Sequence, residues 1–177
     1  MKTKLIALVA FLPIIFAACS NAAKKPSSAA IENTIIADTK SVAPLHVLPA
    51  LKVINDKGEI IDLMDLKGKK VFVNLWATWC PPCKAEIPSI EKLYSKVNKQ
   101  KVVFVMLSLD EKFEAAKEFA ITNKMQLPVF APAENLPAVF NTNGIPATFI
   151  FNEKGELIKV NNGMEDYNTE SYVQLLK

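Results

Sequence analysis

The chain has 177 residues, with hydrophobic residues at 50% and charged residues at 22%. Its 21 basic residues are all lysine, and the formal net charge is +3, which falls to about +1 if Lys2 and Lys4 leave with a cleaved leader. No Lys/Arg stripe is interleaved with aromatics, so the composition argues against a nucleic-acid partner.

In chain order, Met1 to Ala18 reads as an export signal. Lys2 and Lys4 precede an uncharged apolar run that closes on Ala17 and Ala18, and the run is short for a membrane span and contains Pro13. An uncleaved anchor is the other reading of this segment. One of the chain's three cysteines, Cys19, follows directly. The stretch 19–45 is rich in Ser, Ala, Asn, Lys and Pro without apolar periodicity, and reads as a flexible tether. The remainder, 46–177, is the length of one domain with its own core.

Within it, 50–54 and 59–63 flank Asn55-Asp56-Lys57-Gly58 and predict a β-hairpin. A short turn is expected over 64–68, then a buried strand over 70–76. Helical spacing of Ile87, Ile90, Leu93, Tyr94 and Val97 predicts a helix over 81–97, with a kink at Pro88. A continuous apolar strand follows at 102–109. A helix is expected over 111–123, with Phe113, Ala116, Phe119 and Ala120 on one face. The rest reads as a strand at 127–130, a short helix at 133–140, a second hairpin from 147–151 and 156–160, and a closing helix over 165–177. Alternating strands and helices with terminal hairpins give an α/β architecture on a mixed sheet.

The chemistry gathers at residues 76–83, Trp-Ala-Thr-Trp-Cys-Pro-Pro-Cys. Cys80 falls where the strand hands over to the helix, with Pro81 at the favoured first helical position. The partial positive charge and free N–H groups of a helix start stabilise a thiolate, the nucleophile of disulfide exchange. Cys83, three residues on, shares that helix face. It can attack a mixed disulfide formed at Cys80, or close an internal bridge with it.

Other uses of the pair fit less well. A zinc site wants four ligands, and beyond the pair the chain offers only Cys19 and His46. Covalent haem wants His after the second cysteine, where Lys84 stands. Copper delivery wants a nearby His or Met, and a purely structural bridge rarely takes this place. Glu86 lies one turn beyond Cys83. A carboxyl there serves either as a proton carrier for the thiol or as an ordinary first-turn acid favoured by the helix dipole.

At Val71 to Pro88 (VFVNLWATWCPPCKAEIP) and Gly144 to Gly155 (GIPATFIFNEKG) the sequence resembles the thioredoxin superfamily, and more closely its TlpA/ResA-like group of exported, membrane-tethered thiol–disulfide oxidoreductases. The resemblance covers Ala50 to the C-terminus. It implies a thioredoxin-like fold with an added N-terminal hairpin and an insertion after the motif helix. It implies Cys80 as nucleophile, Cys83 as resolving cysteine and Pro146 as the cis-proline beside them. Ile145 is implied to pair with an extended substrate segment, Trp79 to flank the nucleophile, and Glu86 to transfer protons to Cys83. Asn74 departs from thioredoxin, which keeps a carboxylate there, and Trp76 is expected in the core. Residues 16–19 (Phe-Ala-Ala-Cys) resemble a bacterial lipobox, with Phe16 where Leu is usual, which makes Cys19 the lipid attachment site.

The expected function is therefore reduction of disulfides in exported proteins by a lipid-anchored, periplasm-facing monomer. It needs no cofactor or metal, and its partners are protein thiols and disulfides and an upstream electron donor. The competing readings are an oxidase or isomerase with the same residues, a peroxidase, and a non-catalytic metal- or haem-handling module. The peroxidase reading is weakened because Ala77 stands where a Pro-x-x-x-Thr-x-x-Cys pattern has threonine.

Overall fold

The computed structural model describes residues 46–177. The signal segment 1–18, Cys19 and the tether expected over 19–45 lie outside the described residues.

The first hairpin pairs β1 (Lys52–Asn55) with β2 (Ile60–Asp62). Its turn is held by the Asn55 carbonyl Oδ1, which accepts the backbone N–H of Lys57 and of Glu59, while Gly58 supplies the left-handed φ of +83°. A 3₁₀ helix over Leu63–Leu66 follows, capped by Asp62. Then come β3 (Lys70–Trp76), α1 (Pro81–Lys96), β4 (Val102–Ser108), α2 (Phe113–Thr122) and β5 (Val129–Pro132). The second hairpin is β6 (Ala147–Phe151) with β7 (Leu157–Asn162), and α3 (Glu170–Leu176) closes the chain.

The seven strands form one mixed sheet in the order β2-β1-β5-β4-β3-β6-β7. β3, β4 and β5 run parallel, and every other pairing is antiparallel. The crossovers β3-α1-β4 and β4-α2-β5 step the same way along the sheet, and right-handed connections then put both helices on one face. The core on that face joins Phe72, Trp76 and Phe104 to Ile87, Ile90 and Leu93 of α1, Ala116 of α2 and Leu176 of α3. On the opposite face Val71, Val73, Leu75, Phe149 and Phe151 pack under Leu48, Leu51, Leu63 and Phe140. β3 is buried on both faces, which is why its sequence reads as a continuous apolar run. The stretch between α1 and Pro146, where the resemblance placed an insertion, builds β4, α2 and β5, and β5 ties the N-terminal hairpin to the central strands.

Three expectations need correction. The helix expected over 133–140 shrinks to a 3₁₀ turn, Ala138–Phe140, because β5 extends to Pro132 and Pro137 becomes the residue before the turn. The strand expected over 127–130 begins at Val129 instead, after Pro128. The closing helix starts at Glu170, five residues late, because 163–168 are drawn into contacts with α1: the Glu165 N–H donates to Glu86, and the Tyr167 N–H to the Ser89 hydroxyl. The helix through Pro88 remains continuous. Among the described residues no helix is long and apolar enough to cross a membrane.

Candidate active site

The parallel strands β3 and β4 end at one edge of the sheet, and the site is built there. Beyond Trp76 the chain turns through Ala77-Thr78-Trp79 before entering α1. The turn is fastened to the end of β4 by Asp110, whose carboxylate accepts the Thr78 N–H at 3.1 and 3.2 Å and the Thr78 hydroxyl at 2.7 Å. Ser108 donates its hydroxyl to the same carboxylate at 2.8 Å.

Cys80 is the cap residue of α1, with Pro81 and Pro82 as the first helical positions. Proline has no N–H to leave unpaired there and its fixed φ suits the first turn. The Cys83 N–H, one of the free donors of the helix start, points at Cys80 Sγ from 3.2 Å. Cys80 and Cys83 are joined as a disulfide, S–S 2.01 Å and Cα–Cα 5.3 Å. Both are buried, Cys83 wholly and Cys80 at 3% exposure, whereas Trp79 beside them stands 66% exposed.

The second wall comes from the loop before β6. The Ile145–Pro146 peptide bond is cis, and the Ile145 carbonyl oxygen lies 3.7 Å from Cys80 Sγ. Gly163, at the end of β7, donates its N–H to the Pro146 carbonyl at 2.8 Å, which fixes that loop to the sheet.

Below the disulfide lies Glu86, 2% exposed and one helical turn beyond Cys83 on the same face. Its Oε1 accepts from Asn74 Nδ2 at 2.7 Å and its Oε2 from the Glu165 backbone N–H at 3.2 Å. Burial pushes its pKa from 4.5 up to about 7. The Asn74 and Glu165 hydrogen bonds pull the other way, and the nearby Glu165 charge adds to the rise. Asn74 donates also to Thr148 Oγ1 at 2.9 Å, and the Tyr167 hydroxyl donates to the same oxygen at 2.6 Å. Tyr167 is fully buried, and burial lifts its hydroxyl above the usual range.

The structure thus brings Trp79, Cys80, Cys83, Glu86, Ile145 and Pro146 to one edge of the sheet, and Trp76 is core. Asp110, Thr148 and Tyr167 were not anticipated, and Asn74 was noted only as a departure from thioredoxin. A signal for two of them existed. Asn74 and Thr148 are the polar residues interrupting the apolar strands Val71–Trp76 and Ala147–Phe151, and the β3–β6 register sets them opposite one another.

What the arrangement can do chemically is exchange disulfides. It has a sulfur at a helix start, a second sulfur one turn inside, and a buried carboxyl titrating near neutrality behind it. The comparisons agree with that chemistry. A model of the AhpC/TSA family matches residues 44–160. The thiol-disulfide oxidoreductase ResA of Halalkalibacterium halodurans is 34% identical over 123 residues, 68% of this chain and 70% of the relative. ResA of Bacillus subtilis is 31% identical over 149 residues, 83% of each chain. Among solved structures, StoA from Bacillus subtilis aligns with TM-score 0.56 at 29% identity, covering 67% of this chain and 94% of its own. The thioredoxin domain of a thiol-disulfide oxidoreductase from Bacteroides vulgatus aligns with TM-score 0.64 at 22% identity over 77% of this chain and 100% of its own, a likeness of fold. The chain belongs to the AhpC/TSA family, in the thioredoxin-like branch of the ResA relatives, and it is a thiol–disulfide oxidoreductase.

Proposed function

We propose that the protein works as a reductant of disulfides in exported proteins, held to a membrane through a lipid on Cys19. In the reduced protein the Cys80 thiolate attacks a target disulfide. One target sulfur leaves as a thiolate and a Cys80–target mixed disulfide forms. Glu86 takes the Cys83 proton, and the Cys83 thiolate attacks Cys80 Sγ. The second target sulfur leaves and the Cys80–Cys83 disulfide closes, so the target gains the two electrons the pair loses. A dithiol of an upstream donor protein restores the pair. Trp79, exposed beside Cys80, and the Ile145 backbone next to cis-Pro146 form the seat for an extended target segment, which adds to the loop as a strand adds to a sheet edge.

The observation that carries this reading is the buried Glu86 carboxyl one turn behind Cys83. A proton acceptor with a pKa near 7 suits a thiol whose own ionisation is hindered by burial. The same carboxylate bears on direction. A strong oxidant owes its potential to a stabilised reduced form, which in this class means a stabilised thiolate, and a negative charge behind Cys83 opposes that. The peroxidase reading lacks the hydroxyl that its motif supplies, since Ala77 stands at that place.

Redox equilibration of the Cys80–Cys83 couple tests the direction. A potential near thioredoxin's, about −270 mV, is expected, and one near −120 mV would make the protein an oxidant. Trapping tests the roles. Cys83→Ser should accumulate mixed disulfides with targets on non-reducing gels and Cys80→Ser should accumulate few, and the reverse pattern would exchange the two assignments.

A further inference from the structure

Asn74 lies at the middle of β3, fully buried, on the face that carries Phe72 and Trp76. A valine would fill that place in a central strand with no polar atom to satisfy, so an amide there calls for a reason. Its two N–H hydrogens go to Glu86 Oε1 at 2.7 Å and Thr148 Oγ1 at 2.9 Å. Its own Oδ1 is buried, and no group among the described residues donates to it. Thr148 steadies the amide from the neighbouring strand and is itself held by the Tyr167 hydroxyl. The bond to Glu86 is what a hydrocarbon side chain at this place would lose.

We propose that Asn74 is the positioning residue for Glu86, fixing the carboxyl one turn behind Cys83 and keeping it able to lose its proton inside the core. Its amide is the side-chain donor to a carboxyl otherwise surrounded by groups that oppose ionisation or leave it unaided. From the loop before α3 come the Glu165 carboxylate, which repels it, and the Tyr167 ring, and from α3 comes the Tyr172 hydroxyl. From its own helix comes Cys83. Among the described residues the further donor is the Glu165 backbone N–H. Without Asn74 the desolvation remains and the larger of the two opposing hydrogen bonds goes. The functional weight of this assignment rests on the proton-transfer reading of Glu86, whereas the positioning itself does not.

The test uses the full chain with its disulfide intact, labelled with ¹³C at glutamate carboxyls, and follows Glu86 by NMR across pH. Asn74→Val should raise the Glu86 midpoint by about one pH unit or more, the size expected for losing a hydrogen bond to a charged group. Thr148→Val should raise it less, through a loosened Asn74, and decides the matter if Asn74→Val does not fold. An unmoved midpoint in the folded variants overturns the proposal. A residue that serves only packing would lower the unfolding midpoint and leave the titration where it was. The pH profile of thiol–disulfide exchange should move with the titration. A titration that moves while the rate profile stays would uphold the role of Asn74 and remove proton transfer by Glu86.

Discussion

In the unfolded chain Glu86 ionises near its ordinary 4.5, whereas the fold holds its proton up to about 7. Between those pH values the folded state binds the extra proton, so this group's contribution to stability is complete below about 4.5, falls as pH rises through the window, and levels off above it. The interval corresponds to up to about 3 kcal/mol. Glu86→Gln should therefore remove a pH slope: in denaturant unfolding at pH 5 and pH 8, wild type should lose stability that the variant keeps. Parallel curves would mean that the buried carboxyl ionises without penalty. The same variant should exchange disulfides more slowly at pH 7, at or below the lower end of the roughly 10²–10⁴-fold contribution of a general base, with the deficit shrinking at higher pH as Cys83 ionises unaided. At this scale the sequence was most legible where the chemistry is local. Cys83 sits one turn from Cys80 and Glu86 one turn from Cys83 by spacing alone, but the side-chain donor to Glu86 comes from Asn74, 12 residues away on another element. That contact depends on how α1 lies on β3, which helical periodicity does not specify.

At the scale of elements, the motif turn is as dependent on β4 as on the strand that leads into it. Asp110 accepts from the Thr78 N–H and hydroxyl and from Ser108, and Leu109 donates its N–H to the Trp76 carbonyl at 2.8 Å. Together these hold the ends of β3 and β4 side by side and set the angle at which Cys80 enters α1. Asp110→Ala should lower the unfolding free energy by about 1–3 kcal/mol, the range for a partly buried hydrogen-bonded carboxylate, and should slow exchange by loosening the Cys80 turn. Asp110→Asn, which keeps an acceptor, should recover part of both. Chemical denaturation with exchange assays on the three proteins reads this directly, and an Asp110→Ala variant of full stability would show the clamp to be dispensable. The strands and α1 were legible because apolar runs and helical spacing are decided within each segment. The closing helix was placed too early for a physical reason. The helix was expected from 165, but Asp166 accepts the Asn168 N–H in a local turn, and the Glu165 and Tyr167 N–H groups bond to Glu86 and Ser89. These contacts hold 165–168 on a non-helical path against α1, and how that loop lies on α1 is a tertiary matter that helical spacing does not report.

On the scale of the whole molecule, the sheet has two ends with different tasks. Cys80, Ile145 and Pro146 gather where β3 ends and β6 begins. The described chain enters at the other end: Val47 bridges Glu156, Leu48 donates its N–H to the Gly155 carbonyl at 2.6 Å, and Leu157 donates to the His46 carbonyl at 2.8 Å, all at the β6–β7 turn. Gly155 takes a left-handed φ of +81° there, and a side chain at that place would meet Lys67 and Leu48. A strand of seven residues separates the two ends, about 20–23 Å at the usual rise. Among the described residues, every side chain placed at the site lies between Asn74 and Tyr167. Detaching the protein should then separate location from activity. Cys19→Ser, which removes the sulfur that the lipobox-like segment offers for lipid, should move the protein from the membrane fraction to the soluble fraction, and the released protein should reduce a disulfide in solution at the wild-type rate. Fractionation paired with an insulin-reduction assay measures both. An unchanged membrane share removes the lipid attachment, and a soluble but inactive protein would show that residues before the entry point take part in the chemistry after all.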